Sequence, residues 1–272
     1  MLSWGPPHNP YSSAPAQYRA QYQPDKIQLP PNVPAAGLQR AQQEAAGYYA
    51  HCTALDDCME RLLETLKQTG LASNTIVVFM ADHGDLLGSH GRYDKQQPYD
   101  EAIRVPLLLR WPAGLGAAGR KLDTLTSMED IMPTLLGLCG VAIPKTVEGL
   151  DFSSYLHGGK KPSEDVALIS CPAPFGNWSR LKGGREYRGL RTARYTYVRG
   201  LDGPWLLFDS QTDLYQTNNL VNQPAHAQLQ AELEATLARK LKANGDKFLP
   251  AEAYIRQWNY TVDINGTIPY TK

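Results

Sequence analysis

Residues Thr75 to Glu101, TIVVFMADHGDLLGSHGRYDKQQPYDE, decide how the rest of the chain is read. The stretch opens with an apolar, β-branched run, Thr75 to Met80, that lacks the alternation of a half-exposed strand. Such a run predicts a strand covered on both faces, as in a parallel sheet. It breaks into Asp82-His83-Gly84. Ligands of open α/β sheets sit beyond the carboxyl ends of the strands, so an acid and an imidazole side by side at such an end suit a metal. Gly84, Gly88 and Gly91 predict tight turns at positive φ that bring backbone close to a ligand. Lys95 follows on the same loop, a cation able to meet an oxyanion. Taken alone, the three residues 82–84 are better read as a turn, with Asp82 capping a helix and His83 solvated, because short motifs recur by chance.

The longer pattern outweighs that reading. Asp82-His83-Gly84, then Leu87-Gly88-Ser89-His90-Gly91, then Lys95-Gln96-Gln97-Pro98-Tyr99-Asp100-Glu101, then Ile103 to Leu107 resembles the sulfatase family of the alkaline phosphatase superfamily. Pro7-His8-Asn9-Pro10-Tyr11 resembles the His-x-Pro segment that sulfatases carry between their nucleophile region and the Asp-His-Gly strand. By itself the pentapeptide is a loop histidine; its place ahead of a long helix and that strand favours the resemblance. Val147-Glu148-Gly149-Leu150-Asp151 resembles a family turn, and Leu190 to Val198 and Leu207 to Asp213 resemble segments of the family's small C-terminal subdomain.

In chain order, residues 1–37 carry eight prolines and predict irregular or polyproline-like chain, with Tyr11, Tyr18 and Tyr22 packing it along a surface. Leu38 to Thr69 predicts one long helix: Ala41, Ala45, Tyr48, Cys52, Leu55, Met59, Leu62 and Leu66 recur three or four apart, and Gly70 ends it. Asp56 and Asp57 sit on that helix, where adjacent side chains diverge by about 100°; they read as a solvated edge and His51 as a packing residue. Ile103 to Trp111 predicts a second parallel strand, starting after Pro106 because proline cannot donate to a ladder. The sheet core is expected to include Ile76, Val77, Val78, Phe79, Leu107, Leu108 and Leu109. Asp130 to Leu136 predicts a helix start with Asp130 as its cap, closed by Gly140. Short strands are expected at Val166 to Ser170, Tyr187 to Thr192, Tyr195 to Arg199 and Trp205 to Asp209, with a helix over about Ala225 to Ala243.

Composition bounds the function. Lysine plus arginine and aspartate plus glutamate both number 27, so no global field points to nucleic acid or an anionic membrane. No apolar run is long enough to span a bilayer, and the N-terminal MLSWGPPHNPY has no apolar core of a signal peptide. The compartment is not readable; sulfatases are often periplasmic, extracellular or lysosomal. Cys52, Cys58, Cys139 and Cys171 match no zinc spacing and read as buried thiols, with Cys52 and Cys58 too far apart on a helix to bridge.

The resemblance implies an α/β fold: a partial alkaline-phosphatase-like sandwich, a mostly parallel sheet with flanking helices, over residues 1–160. A C-terminal subdomain, an antiparallel sheet with a helix, is expected over 161–272. It implies hydrolysis of a sulfate ester, carried on an aryl group or a carbohydrate, with Asp82 and His83 as metal ligands. Lys95 would contact the sulfate, and His8 would contact it or protonate the leaving alcohol. His90 would support the loop. The implied cofactor is a divalent metal, calcium, with magnesium or manganese as alternatives; the implied partner is a sulfated small molecule or glycan. All four groups are expected to converge on one open cleft. Sulfatases also carry an Asp-Asp metal pair on a first strand and a Cys-x-Pro-x-Arg or Ser-x-Pro-x-Arg whose Cys or Ser becomes formylglycine. No cysteine or serine here stands in that pattern, so the chain reads as the later part of a sulfatase, inactive by itself. A separately encoded N-terminal fragment is one expected partner. A non-catalytic remnant, and a phosphonate or phosphate ester hydrolase of the same superfamily, are the alternative readings.

Overall fold

The computed structural model describes residues 1–269. They form two compact units, residues 1–94 with 105–119, and residues 95–104 with those from 120 onward.

The first unit is organised on helix α1, Leu38–Gln68. The proline-rich N-terminal segment lies against it as short helical turns, with Tyr11 and Tyr18 buried. Tyr18 donates its hydroxyl to Asp57 at 2.7 Å, and the Tyr22 and Thr53 hydroxyls meet at 2.6 Å. These bonds hold a segment that has few backbone ladders of its own. The buried residues of α1 are Ala41, Ala45, Ala46, Ala50 and His51. The expected apolar stripe is therefore covered only in its first half, and Leu62 further along is 37% exposed. Cys52 and Cys139 are also exposed, against the expectation of buried thiols, while Cys171 is buried and all four are free.

Strand β1, Val77–Met80, pairs with β2, Leu107–Arg110, and β2 begins directly after Pro106 as expected. The two strands run antiparallel, with Val77 opposite Arg110 and Met80 opposite Leu107. This corrects the parallel pairing expected of them. An unalternating apolar run reports that both faces seek cover; it does not report the direction of the neighbour. The expected sheet core is corrected too. None of Ile76, Val77, Val78, Phe79, Leu107, Leu108 or Leu109 is fully buried, and Leu107 and Leu108 are 43% and 64% exposed. One helix and a two-stranded ladder are too few layers to cover both faces of such strands.

In the second unit, helix α2, Ile131–Leu138, follows a capping box in which Ser127 N–H donates to the Asp130 carboxylate at 2.8 Å. The other Asp130 oxygen accepts from Leu150 N–H at 2.7 Å, which docks the 147–151 turn. Gly149 is required there, since a Cβ would come within 1.9 Å of the Glu129 carbonyl oxygen. Strands β3 (Val166–Cys171), β4 (Tyr187–Thr192), β5 (Tyr195–Gly200) and β6 (Gly203–Asp209) form an antiparallel sheet in that order. Helix α3, Ala227–Ala243, packs Leu233 and Leu237 against Leu190, Tyr197 and Leu207. Short strand-like runs set off by turn residues, and the one-sided leucines of α3, are why this part of the fold matches the expectation. Helix α4, Ala251–Gln257, follows.

Arg188, almost fully buried on β4, donates to Asp246 through Nε at 2.5 Å and Nη2 at 3.3 Å. Burial works to raise the Asp246 pKa, but the Arg188 bonds and the Phe248 N–H overcome it and hold the carboxyl below its ordinary value. A carboxyl with a lowered folded pKa stabilises fully above its unfolded value, about 3.9, and the stability is lost as the pH falls toward the folded value. Urea unfolding should therefore show this unit weakening below about pH 4, with a shallower acid slope in Asp246→Asn. An identical acid slope in the two proteins would contradict the assignment.

Candidate active site

β1 ends at Met80, and the chain leaves it through Ala81 into Asp82-His83-Gly84, so the acid and the imidazole stand at the strand's carboxyl end. The Asp82 side chain is 84% exposed. Its Oδ1 accepts from the His83 backbone N–H at 3.0 Å, and its Oδ2 lies 3.6 Å from His83 Nε2. The other ring nitrogen, Nδ1, is 2.7 Å from the Gly84 carbonyl oxygen. A carbonyl only accepts, so Nδ1 carries a proton and Nε2 is the ring atom turned toward the carboxylate. A carboxylate oxygen and an imidazole nitrogen facing each other are both donor atoms that a cation accepts.

His8 comes to the same place from far upstream in the chain. Its ring centroid is 6.4 Å from that of His83, with the planes at 69°. Its Nδ1 lies 2.9 Å from the Asn9 carbonyl, which again directs the proton to Nδ1 and the lone pair to Nε2. Two further bonds tie the His8 segment to the site loop. Asn9 Nδ2 donates to Asp94 at 3.1 Å, and Tyr11 donates its hydroxyl to Asp85 Oδ2 at 2.5 Å. The other Asp85 oxygen accepts from Leu87 N–H at 3.0 Å, so Asp85 is a brace. Burial and the Asp85 carboxylate together push the Tyr11 pKa far up, which keeps the hydroxyl as the donor.

The loop itself is strained. Leu87, His90, Asp94 and Gln96 all have positive φ, of 44°, 56°, 62° and 75°. Such conformations cost of order 1–3 kcal/mol each and concentrate at functional sites. Gly88, at φ 96°, lies where a Cβ would come within 2.7 Å of the Ala41 Cβ, so glycine is required on two counts. Gly91 has positive φ as expected, and Gly84 does not; the role of residue 84 is its carbonyl. His90 meets Asn32 through its backbone N–H at 2.8 Å and its ring at 3.1 Å, the supporting contact expected of it.

Lys95 belongs to the second unit. The next residue, Gln96, accepts from the Tyr187 hydroxyl at 3.1 Å. Asp100 receives Arg191 through two parallel bonds of 2.9 Å, and its backbone N–H donates to Gln216 at 2.8 Å. The structure thus brings His8, Asp82 and His83 together within one unit, and fixes the backbone beside Lys95 in the other. Cavities of about 320 and 280 Å³ lie in the second unit, and none of the four candidate residues lines them. Asn9, Asp85, Asp94, Asp100 and Arg191 were not singled out by sequence, and Tyr11 was read only as a packing residue; all of them stand inside the quoted stretches.

A family model described as Sulfatase matches residues 1–141. The chain belongs to the sulfatase family. A second model, described as the C-terminal part of N-sulphoglucosamine sulphohydrolase, matches residues 88–243. An ulvan-active sulfatase of Formosa agariphila is 39% identical over 274 residues, covering 99% of this chain and 53% of its own. A solved structure from work on glycosaminoglycan metabolism by Bacteroides thetaiotaomicron gives a TM-score of 0.79 at 29% identity, covering 99% of this chain and 57% of that one. A phosphonate monoester hydrolase of Silicibacter pomeroyi gives 0.77 at 28% identity, covering 89% and 55%. This sulfatase-family chain spans about half the length of these relatives, and that half is the C-terminal one. Sulfatases generally use a metal ion and formylglycine.

Proposed function

We propose that this chain supplies the later half of a hydrolase acting on sulfate esters of a polysaccharide. The observation that carries the reading is the meeting of His8 with Asp82 and His83 at the end of β1. In this reading Asp82 and His83 hold a divalent cation, calcium, with magnesium or manganese as alternatives. The facing carboxylate and imidazole fit a cation, although calcium takes six to eight oxygen ligands and two groups are only part of that shell. Among the described residues no three His, Cys, Asp or Glu side chains cluster closely enough to hold an ion by themselves. When bound, the cation would draw charge from a sulfate oxygen.

The chain's own residues do the rest. His8, its Nδ1 tied to the Asn9 carbonyl, offers Nε2 as the atom that contacts the sulfate or passes a proton to the leaving alcohol. Lys95 sets its ammonium against the charge of the transferred group. The division into a catalytic domain over 1–160 and a C-terminal subdomain over 161–272 belongs to the same proposal. The relative named for ulvan favours a sulfated polysaccharide over an aryl sulfate as substrate.

The test is a chimera in which this chain replaces the corresponding half of the Formosa agariphila enzyme. It should release sulfate from ulvan, and Asp82→Ala should lower kcat by at least about a hundredfold. A chimera that folds and binds ulvan but is indifferent to Asp82 would overturn the assignment. The phosphonate hydrolase likeness gives a second reading; the same chimera cleaving a phosphonate monoester faster than a sulfate ester would favour it.

A further inference from the structure

Tyr11 is the joint between the segment that carries His8, helix α1, and the loop that leaves β1 through Asp82 and His83. Its side chain is buried, and α1 closes on it at Gly47, where a Cβ would come within 2.6 Å of the Tyr11 carbonyl oxygen. A larger residue there would push the segment off the helix. The Tyr11 ring meets the Tyr48 ring edge-on, with centroids 6.2 Å apart and planes at 63°. From that seat the hydroxyl reaches Asp85 Oδ2 at 2.5 Å. Asp85 stands on fixed backbone, because the next residue, Leu86, is buried and its N–H donates to the Asp94 carbonyl at 2.9 Å.

Only Asn9 and Pro10 separate Tyr11 from His8. The Pro10 ring restricts its φ, here −79°, and the Asn9 carbonyl holds His8 Nδ1. A fixed Tyr11 therefore leaves the His8 ring little freedom to swing away from His83. The second tie of the segment, Asn9 to Asp94, is exposed and competes with water. The Tyr11 bond is part-buried, short and made to a carboxylate, which is the stronger class. Asp85 invites another reading as a third metal ligand, being an acid three positions after Asp82. Its two oxygens are already engaged, one by the Tyr11 hydroxyl and the other by the Leu87 N–H. Among the described residues it joins no cluster of three metal-binding side chains.

We propose that Tyr11 and Asp85 are a positioning pair: their bond sets the place of His8 against Asp82 and His83, and neither residue touches the metal or the sulfate. The proposal rests on the reading of His8 as the group that meets the sulfate or the leaving alcohol.

The test is nuclear magnetic resonance of the full 272-residue chain without metal, reading cross-relaxation between the ring protons of His8 and His83. The native chain should show the cross-peak. Tyr11→Phe, which keeps the packed ring and removes only the hydroxyl, should lose it. Tyr18→Phe is the control for docking alone: it removes the 2.7 Å bond to Asp57 that holds the same segment to α1, and the cross-peak should survive. Manganese should still broaden His83 in Asp85→Ala. In the chimera with the Formosa agariphila enzyme, Tyr11→Phe should lower kcat on ulvan by about tenfold or more with KM little changed, as for a displaced group that acts in the transition state. A cross-peak that persists in Tyr11→Phe, or that is lost equally in Tyr18→Phe, would overturn the positioning pair. So would manganese broadening at His83 that vanishes in Asp85→Ala, because Asp85 would then be a ligand. The cross-peak is read without metal or turnover. A chimera indifferent to Asp82 sinks the hydrolase reading and leaves the cross-peak result standing, and a cross-peak indifferent to Tyr11 does the reverse.

Discussion

Purified alone, the 272-residue chain should release no sulfate from an aryl sulfate or from ulvan, with or without calcium. Attack on sulfur needs an activated nucleophile. No cysteine or serine of the chain stands in the pattern that becomes formylglycine, and Cys171 is buried with its pKa pushed up to about 12 by that burial and the nearby Glu186. Asp82 and His83 leave most of a calcium shell to be supplied from elsewhere. Positioning groups without a nucleophile can polarise an ester; they cannot open the two-step route. The assay is sulfate release over a day at high protein concentration, beside Asp82→Ala. Turnover that depends on Asp82 would require a nucleophile within these residues and would sink the prediction. No turnover by the chain, followed by Asp82-dependent turnover with a separately made N-terminal half, would favour a split enzyme over a non-catalytic remnant.

The second large effect is on stability. Asp100→Ala should lower the unfolding free energy of the second unit by about 3–5 kcal/mol. Asp100 and Arg191 are both nearly buried, with side chains 11% and 12% exposed, and face each other through two bonds of 2.9 Å. Removing the carboxylate leaves a guanidinium in a site with little water, and that uncompensated charge accounts for most of the loss. It also loosens a segment that begins at Lys95, whose other ties include Gln96 to Tyr187, Tyr99 against Phe208 and Asp100 N–H to Gln216. Urea unfolding should show the midpoint falling, and the double variant Asp100→Leu/Arg191→Met should recover much of it, since paired apolar groups carry no desolvation penalty. A single variant within about 1 kcal/mol of the native chain would mean the pair is hydrated and contributes like a surface bridge.

How far the sequence carried the fold differs between the two units for physical reasons. β3 to β6 and α3 were legible because short apolar and aromatic runs set off by turn residues, and one-sided leucines along a helix, are local signals. β1 and β2 were legible as strands, but their direction and cover were not. The apolar content of Leu107 and Leu108 records a demand for contact that the described residues of this chain leave unmet. The site shows the same split. His8, Asp82 and His83 were chosen by motif, and their proximity follows from the Tyr11–Asp85 and Asn9–Asp94 bonds, which no single-sequence pattern announces. The strain at Leu87 and Gln96 was equally invisible, because neither residue type signals positive φ.

The central claim is that His8, Asp82 and His83 form one cation-directed site. The most direct measurement is a manganese titration of the isotopically labelled chain, followed by nuclear magnetic resonance. Paramagnetic broadening should begin at His83, Gly84 and the His8 ring, at metal concentrations of order 10⁻³ M given the partial shell, be reversed by excess calcium, and vanish in Asp82→Ala. Broadening that starts elsewhere, or that is the same in Asp82→Ala, would contradict the account.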